Sequence, residues 1–240
     1  MKISKEEKLM YEVMKAIYDS GIPVSFKGSM VLKACLLEAG YCDDTRHTVD
    51  IDANWNFDLA PTTEQIVKSL QKAIDKANIN LCVRSFRQYK EGRSAGLELL
   101  TKNTNEALFT MDIDVNRPMP LTKVYEVEGL RFKGSTPNQI IADKISAISS
   151  NKVFSRIKDV IDLYYLSKVF DFNKQQIIDI LNKNERILGN FEGFLVQKDD
   201  LKHSYDKFRF IGNVNKPTFE EVYESVREYI VDIISMKRKP

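Results

Sequence analysis

The sequence predicts an α+β protein, with a mixed β-sheet flanked by helices over residues 1–133 and a helical bundle over residues 134–240. Three observations lead there. Residues 23–52 read as a strand, a Gly-Ser turn, a helix and a second strand. Three more strand-like runs follow between Leu81 and Val115. Beyond residue 135 strand signals of that strength stop, and capped amphipathic segments at helical spacing take over.

In chain order, Ser4-Lys5-Glu6-Glu7 forms a capping box ahead of Leu9, Val13, Met14, Ile17 and Tyr18, which predicts a first helix ending near Ser20-Gly21. Pro23 to Lys27 is a short strand, Met30 to Ala39 a helix, and Gly40 to Arg46 a loop before a strand carrying Asp50 and Asp52. Pro61-Thr62-Thr63-Glu64-Gln65 opens an amphipathic helix reaching about Asn78. Leu81 to Tyr89, Ala95 to Thr101 and Ala107 to Val115 then read as strands, the first two joined by a hairpin turn at Glu91 to Ser94. In the third, Phe109, Met111, Ile113 and Val115 alternate with Thr110, Asp112 and Asp114, so the acids line one polar face. Strands at Val124 to Val127 and Leu130 to Lys133, turning at Glu128-Gly129, close this half. Thr136-Pro137-Asn138-Gln139 combines an N-cap, a first-turn proline and a capping-box glutamine, and begins a helix to about Ser149. Further helices are predicted at Arg156 to Val169, Asn173 to Asn184, Asp199 to Lys207 and Thr218 to Met236.

Composition excludes several classes. With 43% hydrophobic and 29% charged residues the chain has the balance of an ordinary globular protein. Its apolar runs are too short to cross a bilayer and its first twelve residues lack a signal-peptide core, so a cytoplasmic protein without a membrane partner is expected. Cys35, Cys42 and Cys82 make no metal-type spacing with His47 or His203. A net charge of +2 means that any nucleic-acid surface must be a local patch.

The chemistry concentrates around Gly28-Ser29. A strand-to-helix turn leaves free N–H groups at the positive end of the helix dipole, which suits a phosphate. Asp50 and Asp52, two apart on a strand, project from one face. Alone, the first is an ordinary helix cap and the second an ordinary solvated face; together they offer what a magnesium-nucleotide needs. Lys33 lies one helical turn beyond Ser29, within reach of a phosphate seated at the helix start.

Gly28-Ser29, a helix, and then Arg46-x-Thr48-x-Asp50-x-Asp52 resemble the nucleotidyltransferase superfamily typified by DNA polymerase beta, and more narrowly the AbiEii/AbiGii toxin family. Two later stretches share that likeness: Ile141-Ala142-Asp143-Lys144-Ile145, and Arg156-Ile157-Lys158-Asp159-Val160-Ile161-Asp162-Leu163. The resemblance spans residues 26–166 and departs from many relatives in placing Met30 after Ser29. It implies a nucleotidyltransferase-type sheet followed by a helical domain that contributes nucleotide-site residues. It also implies a toxin-like enzyme using two magnesium ions and a nucleoside triphosphate, with a cognate antitoxin as partner. The acceptor it implies first is RNA, the tRNA 3′ end, and second a protein hydroxyl. The other reading is a non-catalytic module of the same fold that binds an antitoxin or RNA. For the reaction the resemblance points to Asp50, Asp52, a third carboxylate at Asp114 or Asp112, Lys144 and Asp159. For the nucleotide it points to Gly28, Ser29, Lys33, Arg46, Thr48, Lys144 and Lys158, and for metal to Asp50, Asp52 and Asp114. Strand parity places Asp112 and Asp114 on the same face and leaves both open; the place of Asp114 in the Asp-Val-Asn-Arg run favours it.

Overall fold

The computed structural model of the protein describes residues 3–41, 48–57, 59, 61–88, 94–150, 153–210 and 216–237. The described chain forms a seven-stranded mixed sheet and a set of helices, and contacts divide it into two compact units. One unit holds the chain up to Glu38 and then Thr48–Thr136; the other holds the segment beginning at Ala39 and everything from Pro137 onward.

In the sheet unit, α1 (Lys5–Asp19) starts at the expected capping box: Ser4 accepts from the Glu7 backbone N–H, and the Glu7 side chain accepts from the Ser4 N–H. It is followed by β1 (Val24–Lys27), α2 (Gly28–Glu38), β2 (Asp50–Trp55) and α3 (Thr63–Lys76), the last opened by a reciprocal box between Thr62 and Gln65. β3 (Leu81–Arg87), β4 (Ala95–Thr101), β5 (Ala107–Asp114), β6 (Thr122–Val127) and β7 (Leu130–Ser135) complete the sheet. Its order is β3-β4-β5-β2-β1-β7-β6. β2 runs antiparallel to β1 and parallel to β5, and β7 joins β1 in parallel. The β6–β7 turn has positive φ at both Glu128 and Gly129, a backbone twist that matches a tight hairpin.

Alternation decides which face is core. Ile51, Ala53, Met111 and Ile113 are fully buried, while Asp50, Asp52, Asp112 and Asp114 on the opposite parity stay half-buried. Helices α1, α2 and α3 pack against the sheet, supplying Met10, Val13, Met14, Leu36, Ile66 and Ile74 to an interior also filled by Tyr11, Phe26 and Phe132. The polar face of β2 and β5 thereby remains reachable.

The second unit is helical among its described residues: α4 (Pro137–Ile148), a 3-10 turn at Val153–Arg156, α5 (Ile157–Ser167), α6 (Lys174–Lys183), α7 (Glu192–Val196), α8 (Lys198–Lys207) and α9 (Phe219–Lys237). α4 packs on α5 and α6, and α9 on α5, α6 and α8. Phe210 lies outside any regular element. No helix is long and apolar enough to cross a membrane among the described residues.

Candidate active site

β1 ends at Lys27 and α2 begins at Gly28, so the strand passes into the helix with no intervening loop. Its φ of +69° is a left-handed conformation that favours glycine. Space is the second constraint, since a Cβ there would lie 2.2 Å from Asp52 Oδ2. The Asp52 carboxylate therefore rests directly against the backbone of the turn. The sequence pattern of a Gly-Ser turn followed by a distant acid pair becomes a single site because β2 returns antiparallel beside β1, with Asp52 opposite Lys27.

The neighbouring strand adds its acids in register. Because β2 and β5 are parallel, Asp50 lies beside Thr110, Asp52 beside Asp112, and Asn54 beside Asp114. Asp50, Asp52, Asp112 and Asp114 thus share one polar face, with Asp112 level with Asp52 and Asp114 one step further from Gly28. Each of three carboxylates has a positioned partner. The Thr48 hydroxyl, 4% exposed, donates to Asp50 Oδ1 at 2.5 Å. Arg87 Nη2 donates to Asp112 Oδ1 at 2.6 Å and reaches Ser94. Lys27 extends across β2 to bond Asp114 Oδ2 at 2.5 Å. These cations offset the mutual repulsion of acids gathered on one face.

Two candidates for the nucleotide come out differently. Lys33 turns inward rather than toward the start of its helix: it is 7% exposed and donates to Glu7 Oε2 at 2.7 Å. A buried cation needs a buried counter-charge, and Glu7 of α1 supplies one, a partner that helical spacing within α2 cannot reveal. The phosphate role expected for Lys33 is therefore corrected to a tie between α1 and α2. Arg46 lies outside the described residues.

In the helical unit, Lys144 of α4 donates to Asp159 Oδ1 at 3.1 Å and to Asp162 Oδ2 at 2.6 Å, both on α5. Asp162 is fully buried and the Asp159 side chain is 20% exposed, so the cluster opens to solvent on the Asp159 side. Lys158 is exposed. The two sequence stretches expected to act together, around Lys144 and around Asp159, meet in an ion pair between α4 and α5; the sequence gave no sign that Asp162 is the buried member of the group. Lys27 and Arg87 were also missed. Lys27 was detectable from its position just before Gly28; Arg87 was not, because it reaches Asp112 across two strand pairings.

The oxygen-only donor set of the β2–β5 face suits a hard divalent cation. Among the described residues no three acidic, histidine or cysteine side chains are gathered closely enough to hold a metal by themselves. Magnesium fits such an arrangement, since it binds through one or two carboxylates together with water and substrate phosphates.

A helix-starting glycine packed against Asp52, with further acids on the same sheet face, is an arrangement that can seat a metal-bound phosphate. The family model described as "Nucleotidyl transferase AbiEii toxin, Type IV TA system" matches residues 10–224, and the chain belongs to that family of nucleotidyltransferases. Among solved structures it is similar to MenT4, a nucleotidyltransferase toxin from Mycobacterium tuberculosis H37Rv, with a TM-score of 0.63 and 14% identity, covering 95% of this chain and 82% of that one. It is also similar to an antigenic nucleotidyltransferase-like protein from Paracoccidioides brasiliensis, with a TM-score of 0.51 and 17% identity, covering 90% of this chain and 99% of that one. At such identities these two likenesses speak for the fold. No curated protein matches the chain in sequence.

Proposed function

We propose that this nucleotidyltransferase moves a nucleotide from a nucleoside triphosphate to an RNA acceptor, the tRNA 3′ end, and that its Gly28–Asp52 contact is the centre of the site. That contact carries the reading, because it sets the Asp52 carboxylate directly against the turn that would seat a phosphate. The backbone N–H groups at the start of α2, from Gly28 and Ser29, hold the terminal phosphates and orient the leaving pyrophosphate. Asp50, fixed by Thr48, and Asp52, fixed against Gly28, are the residues that would hold magnesium. Bound there, magnesium would neutralise developing charge on the phosphate oxygens.

Register supports Asp112 as the third carboxylate over Asp114. Asp112 is the direct neighbour of Asp52, whereas Asp114 is beside Asn54 and tied to Lys27. In the reaction, an acceptor hydroxyl oxygen bonds to the α-phosphorus while the bond from that phosphorus to the bridging oxygen breaks. The hydroxyl proton passes to Asp112, and pyrophosphate leaves toward Gly28-Ser29. Positioning and charge compensation supply most of the rate, as in other phosphoryl transfers. In the helical unit, Lys158 is an exposed cation available to an anionic substrate, and Asp159 is the reachable carboxylate of the Lys144 cluster.

Family membership places the protein with type IV toxin–antitoxin systems, so a cognate antitoxin is part of the proposal. The test is to incubate the protein with each labelled triphosphate, magnesium and total tRNA. Label is expected on RNA. Label on protein instead would move the acceptor to a protein hydroxyl. Neither label nor magnesium-dependent nucleotide binding would leave a non-catalytic module.

A further inference from the structure

Phe86 is a large aromatic on the acid-bearing face of the sheet that the chemistry above does not use. It is 52% exposed, although it belongs to β3. A register shift between Ser85 and Arg87 breaks the regular alternation there. Such irregularities re-aim side chains and are frequent beside active sites. The re-aimed ring lies over Gly96 of β4, where an added Cβ would come within 2.7 Å of Phe86 Cζ. Gly96 is the direct partner of Asp112 on β5. The ring therefore lies on the carboxylate face, one strand beyond Asp112. Arg87, which holds Asp112, has its guanidinium 5.7 Å from the centre of the same ring.

The direction of the reaction decides what this ring can meet. In-line displacement places the attacking hydroxyl and the leaving pyrophosphate on opposite sides of the phosphorus. With pyrophosphate held at Gly28-Ser29, beside β1, the acceptor approaches from the other side of β2. The strand order puts β5, β4 and β3 on that side. An exposed aromatic with an arginine beside it is how single-stranded nucleic acid is held without base readout.

We propose that Phe86, seated on Gly96 and flanked by Arg87, is the stacking platform for a nucleobase of a single-stranded RNA acceptor. The proposal rests on the nucleotidyl-transfer reading for its direction of approach, and its test separates the two. Affinity of the full chain for a fluorescein-labelled single-stranded RNA of about eight nucleotides, within the range one such site covers, is measured by anisotropy. Phe86→Ala and Phe86→Leu are expected to raise the Kd at least ~5-fold, the low end of one stacked base. Phe86→Trp should retain or tighten binding, and Gly96→Ala, which displaces the ring, should weaken it. Magnesium-triphosphate binding should stay unchanged in all the Phe86 variants, and in transfer assays the KM for RNA should rise while kcat stays within about twofold. Unchanged RNA binding in Phe86→Ala, a Leu variant equal to wild type, or transfer to protein without RNA binding would overturn the platform. Loss of RNA binding in Phe86→Ala with no transfer by wild type would instead overturn the transfer reading and leave the platform standing.

Discussion

Two groups of charged residues in this protein contain similar side chains and live under different rules. On the sheet, Asp112 and Asp114 have carboxylates 44% and 24% exposed, each tied to one cation, Arg87 or Lys27. In the helical unit, Lys144 is 9% exposed and bonds two carboxylates, one of them wholly buried. Solvent screens the first arrangement, so each ion pair adds little stability and the acids stay available to a ligand. The second pays for desolvation with close pairing, and removing a partner strands a buried charge. Exposure thus separates acids that a ligand can reach from a cation and a carboxylate that hold each other out of water.

The largest expected effect is on the sheet. Asp50→Asn should abolish transfer, because in the proposed site its carboxylate would hold magnesium and supply several kcal/mol of transition-state stabilisation. Near-normal turnover by this variant would remove Asp50 from the site. Next comes Asp162→Asn, which leaves Lys144 with one carboxylate and should cost about 3–5 kcal/mol of stability, read from denaturant midpoints. Asp159→Asn should cost less, since its carboxylate keeps partial access to water. Equal losses from the two would erase the distinction between the buried and reachable members of the cluster.

Within the sheet face the comparison sharpens further. Asp112→Ala should slow transfer at least ~100-fold, the low end for a general base, and Asp114→Ala only a few-fold. The opposite order would return the third carboxylate to Asp114. The smallest effect concerns a buried group apart from either cluster. Burial pushes the Cys35 thiol up to about 12, opposed by a hydrogen bond with Tyr125. The native protein should therefore resist alkylation at Cys35 at pH 8, scored by peptide mass spectrometry, and the unfolded chain should not. Since the unfolded thiol ionises first as pH rises, this residue's contribution to stability falls above its unfolded pKa, about 8.5.

Much of the fold was legible because its signals are local. The boxes at Ser4 and Thr62, the alternation through Phe109–Val115 and the turn at Glu128-Gly129 each depend on residues a few positions apart. α7 was not foreseen: its N-cap is Phe191, with a φ of 60° and no capping side-chain hydrogen bond, so the sequence carries no start signal there. The acid face was legible as a parity pattern, yet parity is identical for Asp112 and Asp114, and choosing between them needs the pairing of β2 with β5. Lys33 read as a phosphate ligand because its partner Glu7 is on another helix. Phe86 gave no signal at all, since its exposure follows from a register irregularity opposite Gly96.

Thermal unfolding of Asp52→Asn and Asp162→Asn, measured side by side without nucleotide, tests most directly whether the sheet acids are a functional site and the helical cluster a structural one. Asp52→Asn relieves repulsion among neighbouring carboxylates, so its Tm should hold or rise slightly while transfer is lost. Asp162→Asn should unfold several degrees lower, as expected from a loss of a few kcal/mol in a chain of this size. A Tm that falls as far for Asp52→Asn as for Asp162→Asn would contradict the account, because the sheet acids would then be holding the fold together.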